Sequence, residues 1–332
     1  MADVGRAAEV SAQTVSRFYT GGYVSPEART AIERAIHDLG YQRSRLPNIL
    51  RSERTDTIGY LSMGPLNFGN SGILTGISQA ARTEQQSLIT TQLDLDPSAP
   101  SSRTEVEHTL ENFLSMRVDG IVVGTPYSGL EDLLQLAGRS VEVVSLSEAV
   151  TVGIDSVHAD SYGAARLAVE HLIALGHRKI LHLAGPGNRN EAGERVRGYL
   201  DELGAAGLDP LPLVHCAEWD AASGAACAVT VDDSTYTAVF AANDEIALGF
   251  MSAERARGRT APENYSIVGV DDMPEARYFV PPLTSAGLDF VQLGETALHM
   301  VLDRIRNTSE RPREIISATL SIRQSTAALR HG

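Results

Sequence analysis

Strand-like and helix-like segments alternate regularly from Thr57 almost to the end of this 332-residue chain. The strand-like segments are short and apolar, as buried parallel strands are, and the segments between them repeat apolar residues at helical spacing. The predicted strands are TIGYLSM, SLITTQL, DGIVVG, VEVVSL, KILHLAG, LPLVHC, TAVFAAN and SIVGVDD. The predicted helices span residues 71–82, 103–116, 129–138, 161–175, 191–206, 222–231, 244–257 and 291–306. This order predicts an α/β fold in which helices cover both faces of parallel sheets.

These strands are too many for one comfortable sheet, so we expect two lobes, each a doubly wound unit. The pattern restarts after "IDSVHAD", and the chain returns to the first lobe near Ser285–Phe290. We therefore expect a first lobe of about 57–155 and 288–322 and a second lobe of about 156–287. Such sheets bind ligands at the carboxyl ends of their strands, and two facing lobes form a cleft that can close by hinge motion.

Three short helices are expected before this region. In "SAQTVSRFYTGG", Ser11 can cap a helix that Gly21 and Gly22 terminate. At about 100° per residue, one side of this helix is apolar and the other is narrow and polar. Val15 and Phe18 lie on the first side with Thr14, and the second side carries Ala12, Gln13, Ser16 and Arg17. With one helix before it and one after Ser25, the pattern predicts a helix-turn-helix.

A narrow polar face suits a helix that enters the DNA major groove, which is about 12 Å wide. Gln13 can pair bidentately with adenine and Arg17 with guanine, whereas Ala12 can only contact a thymine methyl group. A short surface helix with one polar side is the alternative interpretation. The two neighbouring helices favour DNA binding.

The net charge of −14 argues against DNA binding until it is divided along the chain. Residues 1–56 hold eight arginines and seven acidic residues, so they carry +1 and the remainder carries −15. Because non-specific affinity comes largely from phosphate neutralisation, we expect modest non-specific binding that two copies would strengthen. The sequence shows neither an 18-residue apolar run nor a signal peptide, which predicts a cytoplasmic protein without a membrane segment.

Polar residues follow several predicted strands of the second lobe, and Trp219 is the only tryptophan. The candidates are Arg195 after the "AGPGNRN" loop, Asn243 and Asp244 after "TAVFAA", and Asp271 and Asp272 after "SIVGV". Fixed donors and acceptors beside a flat aromatic ring suit a neutral polyhydroxylated ligand. Each residue also has a structural interpretation: Asp244 and Asp272 as helix N-caps, Arg195 in a surface ion pair, and Trp219 as a filler between loops.

No set of residues indicates catalysis, a cofactor or a metal. The "AGPGNRN" loop lacks the P-loop lysine, and GxGxxG at a helix start, GxSxG and HExxH are all missing. Cys216 and Cys227 are eleven residues apart, which fits neither a zinc site nor a disulfide framework. His171, His177 and His182 fit no metal-ligand spacing and are interpreted as structural or surface residues.

Taken together, these segments make the chain similar to the LacI/GalR family of transcriptional repressors over nearly its whole length. The resemblance is carried by "DVGRAAEVSAQTVSR", "VSPEARTAIERAIHDLGY", "LRSERTDTIGYL", "VDGIVVG", "AVEHLIALGHRKILHLAGP", "VFAANDEIALG", "SIVGVDDMPEARYFVPPLTSAGLDF" and "LSIRQST". "EWDAASG" and "FVPPLT" look closest to the lac-repressor-like branch, whose effectors are galactosides and related glycosides. The resemblance implies a three-helix DNA-binding domain followed by a two-lobed, periplasmic-binding-protein-like effector domain.

The resemblance also implies roles by position. Ala12 and Gln13 match base-specifying positions, Arg17 matches the adjoining contact, and Thr14 and Ser16 belong to the same "TVSR" motif. Leu50 matches the hinge leucine that wedges into the minor groove at the operator centre. The effector-contacting positions are Arg195, Trp219, Asn243 and Asp271, with Phe68, Ile73 and Phe290 as an apolar wall.

Three departures from the family pattern stand out. Glu9 occupies a turn position where the family usually has glycine, and a positive φ there would cost about 1 kcal/mol. Pro47 stands where the hinge helix usually has alanine, and proline is tolerated only in a first turn. The segment "GPLNFGNSG" lacks the common family pattern, so the identity of the ligand does not transfer.

The expected organisation is a DNA-binding domain at 1–43, a hinge at 44–56 and an effector-binding and dimerisation domain at 57–332. The expected function is a homodimeric repressor that binds a pseudo-palindromic operator and is released by a small sugar. The absence of a heptad tail favours a dimer over a tetramer. The alternatives are a corepressor-type or nucleobase effector, a pure sugar-binding module, and a sugar-processing enzyme, against which the missing acid–base pair argues.

Overall fold

A computed structural model describes residues 1–41, 54–95, 99–307 and 313–329. The chain divides into two compact units, Met1–Thr55 and Asp56–Gly332. Pro47 and Leu50 of the expected hinge lie outside the described residues.

The first unit contains three helices, α1 (Ala2–Ala7), α2 (Ala12–Tyr19) and α3 (Pro26–Leu39). Its small core is formed by Val4, Ala8, Val15, Val24, Ile32 and Ala35. The Ser11 hydroxyl accepts a hydrogen bond from the Thr14 backbone N–H at 3.0 Å, which confirms the predicted start of α2. Gly40 ends α3 in the left-handed conformation that glycine adopts without strain.

Glu9, in the turn between α1 and α2, has a φ of 54°, so it occupies the left-handed region that favours glycine. Such a backbone costs a non-glycine residue about 1–2 kcal/mol, and the greater freedom of glycine in the unfolded chain offsets part of a replacement's gain.

We therefore expect Glu9→Gly to stabilise the first unit by about 0.5–1 kcal/mol. Native-state hydrogen exchange of α1 and α2 amides in the full chain measures this gain. Glu9→Ala is the matched control, because it removes the same carboxylate and keeps the Cβ atom. Equal gains from both substitutions would assign the effect to lost charge and contradict backbone strain.

The second unit alternates strands and helices as predicted. Its elements are β1 (Thr57–Met63), α4 (Phe68–Thr83), β2 (Ser87–Leu93), α5 (Pro100–Ser115), β3 (Gly120–Gly124), α6 (Glu131–Ala137), β4 (Glu142–Leu146), β5 (Asp155–Ala159), α7 (Ser161–Ala174), β6 (Ile180–Ala184), α8 (Asn190–Ala205), β7 (Val214–His215), α9 (Ala221–Ala228), β8 (Ala238–Ala241), α10 (Asp244–Ala256), β9 (Ser266–Asp271), a short 3₁₀ helix (Pro274–Tyr278), β10 (Thr284–Gly287), α11 (Phe290–Arg306), β11 (Arg313–Ile316) and β12 (Thr319–Ser321). The predicted α/β fold class is confirmed.

Two six-stranded sheets form the two lobes of this unit. The first sheet has the order β11-β5-β4-β3-β1-β2 and is parallel throughout. The second has the order β12-β10-β9-β8-β6-β7 and is parallel except for β12, which runs antiparallel to β10. Alternate residues of β1 pack into different cores, Ile58 and Tyr60 into one and Leu61 and Met63 into another. Both faces of the first sheet are therefore buried, as expected of a doubly wound lobe.

The expected lobe boundaries are wrong at two places. Residues 156–159 belong to the first lobe, because β5 pairs with β4 and β11. Residues 319–321 belong to the second lobe, because β12 pairs with β10. The polar residues of "IDSVHAD" hide β5 in the sequence, and no local pattern shows which sheet a terminal strand joins.

Candidate functional site

A cleft separates the two lobes at the carboxyl ends of their strands. From the first lobe, the cleft is lined by residues at the ends of β1, β3 and β4, among them Met63, Thr125 and Ser147. From the second lobe, it is lined by residues at the ends of β6, β8 and β9. Its empty volume is about 910 Å³, including the part open to solvent. This position is typical of small-molecule sites in doubly wound folds.

Six of the seven expected effector residues line this cleft. They are Ile73, Arg195, Trp219, Asn243, Asp271 and Phe290. Phe68 does not, and its expected place in the cleft wall is corrected: its ring packs against that of Phe290, edge to face at 5.9 Å between centroids. The reason is helical geometry, since α4 presents residues 69, 70 and 73 to the cleft and position 68 lies on another side of the helix.

Arg195, in α8, is fixed by three contacts, and its side chain is only 5% exposed. Its Nη1 donates to the Ala242 carbonyl, its Nη2 lies 3.5 Å from Asp271 Oδ1, and its guanidinium carbon lies 5.1 Å from the centroid of the Trp219 ring. Burial raises the pKa of Asp271 to about 7, and the Arg195 charge opposes part of that rise. The guanidinium is therefore held rigidly at the floor of the cleft.

Asn243 joins Trp219 to the start of α10. Its Oδ1 accepts from the Ile246 backbone N–H at 2.8 Å, and its Nδ2 donates to the Trp219 carbonyl at 3.0 Å. Asn243 is therefore the N-cap of α10, and the interpretation of Asp244 as that cap is wrong. The extended backbone of Asn243, with φ at −147°, is the conformation that a capping residue needs.

Asp244 and Asp272 instead brace the loop that carries Asp271. Asp244 is buried and accepts from the Met273 backbone N–H at 2.9 Å and from the Ser285 hydroxyl at 2.6 Å. Asp272 accepts from the Ser321 hydroxyl at 2.7 Å and does not cap the 3₁₀ helix, whose N-cap is Met273. These bonds fix the ligand-facing end of β9.

Residues that the sequence did not identify also line the cleft, notably Glu148, Arg189 and Glu191. Glu148 follows the carboxyl end of β4, so the strand-end rule could have found it. Arg189 reaches across the cleft, with its guanidinium carbon 4.3 Å from the ring centroid of Tyr127 in the first lobe. Next to it, the Asn190 backbone N–H donates to the Pro126 carbonyl at 2.9 Å. The two lobes are thus bridged beside the cleft.

Several buried polar atoms of the cleft residues have no hydrogen-bond partner. They are Glu148 Oε2, His158 Nδ1, Arg189 Nε, Arg195 Nε and Asp271 Oδ1. Each such atom costs about 1–3 kcal/mol when it is left unsatisfied. Buried polar atoms without partners beside a cleft are groups that a bound polar ligand can satisfy.

Glu148 offers a direct measure of this cost. Burial raises the pKa of Glu148 to about 7, against a smaller lowering by the Ser161 hydroxyl. In the folded state the carboxyl stays protonated up to about pH 7, whereas in the unfolded chain it ionises near pH 4.5. The stability that it contributes is therefore complete below pH 4.5 and is lost as the pH rises to 7.

We expect Glu148→Gln to raise the free energy of unfolding of the ligand-free protein by about 1–2 kcal/mol at pH 8, allowing for partial exposure, and by much less at pH 5. Urea unfolding of the variant and of the unchanged protein at both pH values measures this gain. The contributions of the other titrating groups are the same in both proteins and cancel in the difference between them. Glu105→Gln, at an exposed site of α5, is the control and should change neither value. A gain of equal size at pH 5 and pH 8 would contradict the assignment to a buried carboxylate.

In the first unit, α2 presents the predicted polar face. Ala12, Gln13 and Arg17 are exposed, and Thr14 and Ser16 are half-buried. The Thr14 hydroxyl lies 2.8 Å from that of Ser11, so it takes part in the helix cap. Leu50, one of the six residues expected to contact DNA, lies outside the described residues.

The cysteines and histidines noted in the sequence are buried or partly buried in the second lobe. Cys216 and Cys227 are free thiols with their sulfur atoms 3.1 Å apart, and His182 stacks on Phe240 at 4.4 Å. Within the described ranges, no three or more histidine, cysteine or acidic side chains are grouped to hold a metal ion. None of the helices described there is long and apolar enough to cross a membrane.

Comparisons with known proteins match both units. Residues 1–44 match a family described as bacterial regulatory proteins, lacI family, and residues 169–326 match a periplasmic binding protein-like domain. The chain is 30% identical to the ribose operon repressor of Haemophilus influenzae, over 99% of each protein. It superposes on a crystal structure of the lac repressor dimer bound to operator and the anti-inducer ONPF with a TM-score of 0.87, 27% identity and 98% of each chain covered. It also superposes on a complex of the transcriptional regulator CelR with cellobiose with a TM-score of 0.71, 28% identity and 98% of each chain covered.

Proposed function

Because this chain belongs to the lacI family of bacterial regulatory proteins, we propose that it is a repressor that binds operator DNA and releases it when a small sugar enters the cleft. The observation that carries the sugar assignment is the fixed set of Arg195, Asn243 and Asp271 at the cleft floor, with two of the three side chains retaining unpartnered buried atoms. A guanidinium, an amide and a carboxylate together offer donors and acceptors to adjacent hydroxyl groups. The cellobiose complex of CelR supports the same class of ligand.

The DNA-binding role is assigned to residues 1–43, with 44–56 as the hinge and 57–332 as the effector-binding and dimerisation domain. In α2, Gln13 and Arg17 project from an exposed, narrow face, as base-reading side chains must. A homodimer presents two such helices, so its operator is a pseudo-palindrome. The structure of the lac repressor dimer on operator supports this arrangement.

Regulation follows if the sugar binds one arrangement of the lobes more tightly than the arrangement that binds operator. A typical coupling free energy of about 1–3 kcal/mol would change operator affinity roughly 5- to 150-fold. We propose that the protein acts in the cytoplasm, where operator DNA lies, and that it binds the sugar without turning it over. Recovery of the sugar unchanged after prolonged incubation checks the second point.

An unbiased selection of DNA duplexes by the purified full-length protein tests this function, followed by operator release with mono- and disaccharides and nucleobases. We expect enrichment of a pseudo-palindrome and its release by a sugar. Enrichment with tighter binding in the presence of a nucleobase would replace the inducer by a corepressor. Failure to enrich any duplex, together with sugar binding, would reduce the protein to a sugar-binding module.

A further inference from the structure

The charged side chains of the cleft do not balance. Glu148, Glu191 and Asp271 are acidic, and Arg189 and Arg195 are basic. Arg195 pairs with Asp271, and the charges of Arg195 and Arg189 both favour the ionised form of Glu191. The Arg195 charge also acts on Glu148 of the first lobe, but three carboxyls share two guanidinium groups, so the cleft carries one uncompensated negative charge when all its carboxyls are ionised.

Glu148 and Glu191 come from opposite lobes and line the same cleft. Glu148 lies just after β4, and Glu191 lies in the first turn of α8. Burial is the main cause that raises the pKa of both carboxyls, and the Glu191 charge raises that of Glu148 further. Glu148 Oε2 is buried without any hydrogen-bond donor. A cation placed between the two carboxylates would relieve both the burial and the repulsion.

A second space beside the cleft is also lined mainly by acidic side chains. It shares Pro65, Asn67, Arg189 and Trp219 with the cleft. It is lined by Asp94, Glu218, Asp220 and Glu245, with Arg189 as its one basic side chain among the residues that the structure describes. A passage lined by one sign of charge concentrates ligands of the opposite sign and repels those of the same sign.

A second feature shows that the cleft awaits a ligand and is more than an acidic cluster. Arg195 is 4% exposed and Arg189 is 9% exposed, both line the cleft, and the buried Nε of each has no hydrogen-bond partner. Such donors suit ligand hydroxyl oxygens. The site therefore offers donors to hydroxyl groups on the side of α8 and an unpaired carboxylate across the cleft.

Building on the proposed function, we infer that the recognised sugar carries a basic nitrogen, whose ammonium group lies between Glu148 of the first lobe and Glu191 of the second. The hydroxyl groups of the same sugar bind Arg195, Asn243 and Asp271. The ammonium draws the two lobes together, because each lobe supplies one carboxylate. Sugars with a carboxylate or phosphate group are repelled by the same residues.

Calorimetric titration of the full-length protein at pH 7 tests this inference. The panel contains glucosamine, galactosamine and a β-1,4-linked glucosamine disaccharide, each with its neutral parent and N-acetylated form, and the two corresponding uronic acids. We expect one amino sugar to bind at least about tenfold more tightly than its parent and its N-acetylated form. The uronic acids should bind most weakly.

Glu148→Gln separates charge from shape, since glutamine has nearly the same size as glutamate. It should reduce the preference for the amino sugar over its neutral parent, measured as the ratio of the two affinities in the same variant, to within about twofold. Glu105→Gln removes the same charge at an exposed site and should leave the preference intact. Neutral sugars that bind as tightly as amino sugars, and still release operator, would overturn this inference and leave the proposed function standing. If the protein selects an operator but binds no sugar of the panel, that result contradicts both the proposed sugar effector and the inference that this sugar carries a basic nitrogen.

Discussion

Replacing Arg195 with alanine is expected to weaken effector binding about 100-fold and to leave operator binding intact, so that the sugar no longer releases the DNA. The guanidinium is 5% exposed in its side chain and donates from a rigid position, where hydrogen bonds from a charged group contribute about 1.5–3 kcal/mol. The substitution also leaves Asp271 buried without its ion-pair partner, which costs further stability. Sugar titration and operator shift assays on the same preparation measure both effects.

Arg197→Ala is the matched control for this substitution. Arg197 lies in the same helix, two residues away, but its side chain is 53% exposed and pairs with Glu194 at the surface. Surface pairs contribute little, so sugar affinity and operator release should remain within about twofold of the unchanged protein. The double substitution Arg195→Ala with Asp271→Asn should recover stability without recovering affinity. Sugar-dependent release that survives Arg195→Ala would contradict the proposed site.

Replacing Gln13 with alanine is expected to lower affinity for the selected operator about 10- to 100-fold and to leave non-specific DNA binding almost unchanged. Gln13 is exposed on α2, and a bidentate contact to a base contributes about 1–3 kcal/mol of discrimination. Because the side chain is uncharged, the salt dependence of binding should not change. Competition titrations with operator and with random duplex measure the two affinities.

Glu33→Gln, at an exposed position of α3, is the control for the first unit. It should leave the ratio of specific to non-specific affinity unchanged, since α3 is not the helix assigned to base contacts. An equal loss of specific and non-specific affinity on Gln13→Ala would show that this residue supports folding or phosphate contact instead of base reading.

The architecture followed from the sequence wherever local pattern and tertiary packing agree. The predicted strands TIGYLSM and SLITTQL match β1 and β2 to the residue, because both are continuous runs of strand-forming residues between clear turns. The Ser11 cap of α2 was also predictable, because its hydrogen bond joins two residues only three positions apart in the chain. Residues 156–159 and 319–321 were placed in the wrong lobes, because membership of a sheet depends on partners that lie far away in the chain.

The site was predictable in part for the same reason. Asn243 and Asp271 end strands, and that rule of parallel sheets places them in the cleft without knowledge of the tertiary structure. Phe68 was misplaced, because adjacent residues of a helix point in directions about 100° apart. Residue 69 of α4 faces the cleft, whereas Phe68 does not. Glu148 was missed although it follows the carboxyl end of β4, whereas Arg189 was missed because its contact with Tyr127 of the first lobe depends on the tertiary structure.

The central claim is that one chain couples sugar binding in the cleft to operator binding at α2. Titrating the sugar into the dimeric protein, with and without saturating operator, measures that coupling directly. Operator should lower sugar affinity by the same factor by which the sugar lowers operator affinity, within the roughly 5- to 150-fold range of such linkages. A sugar affinity that is identical with and without operator would contradict the account.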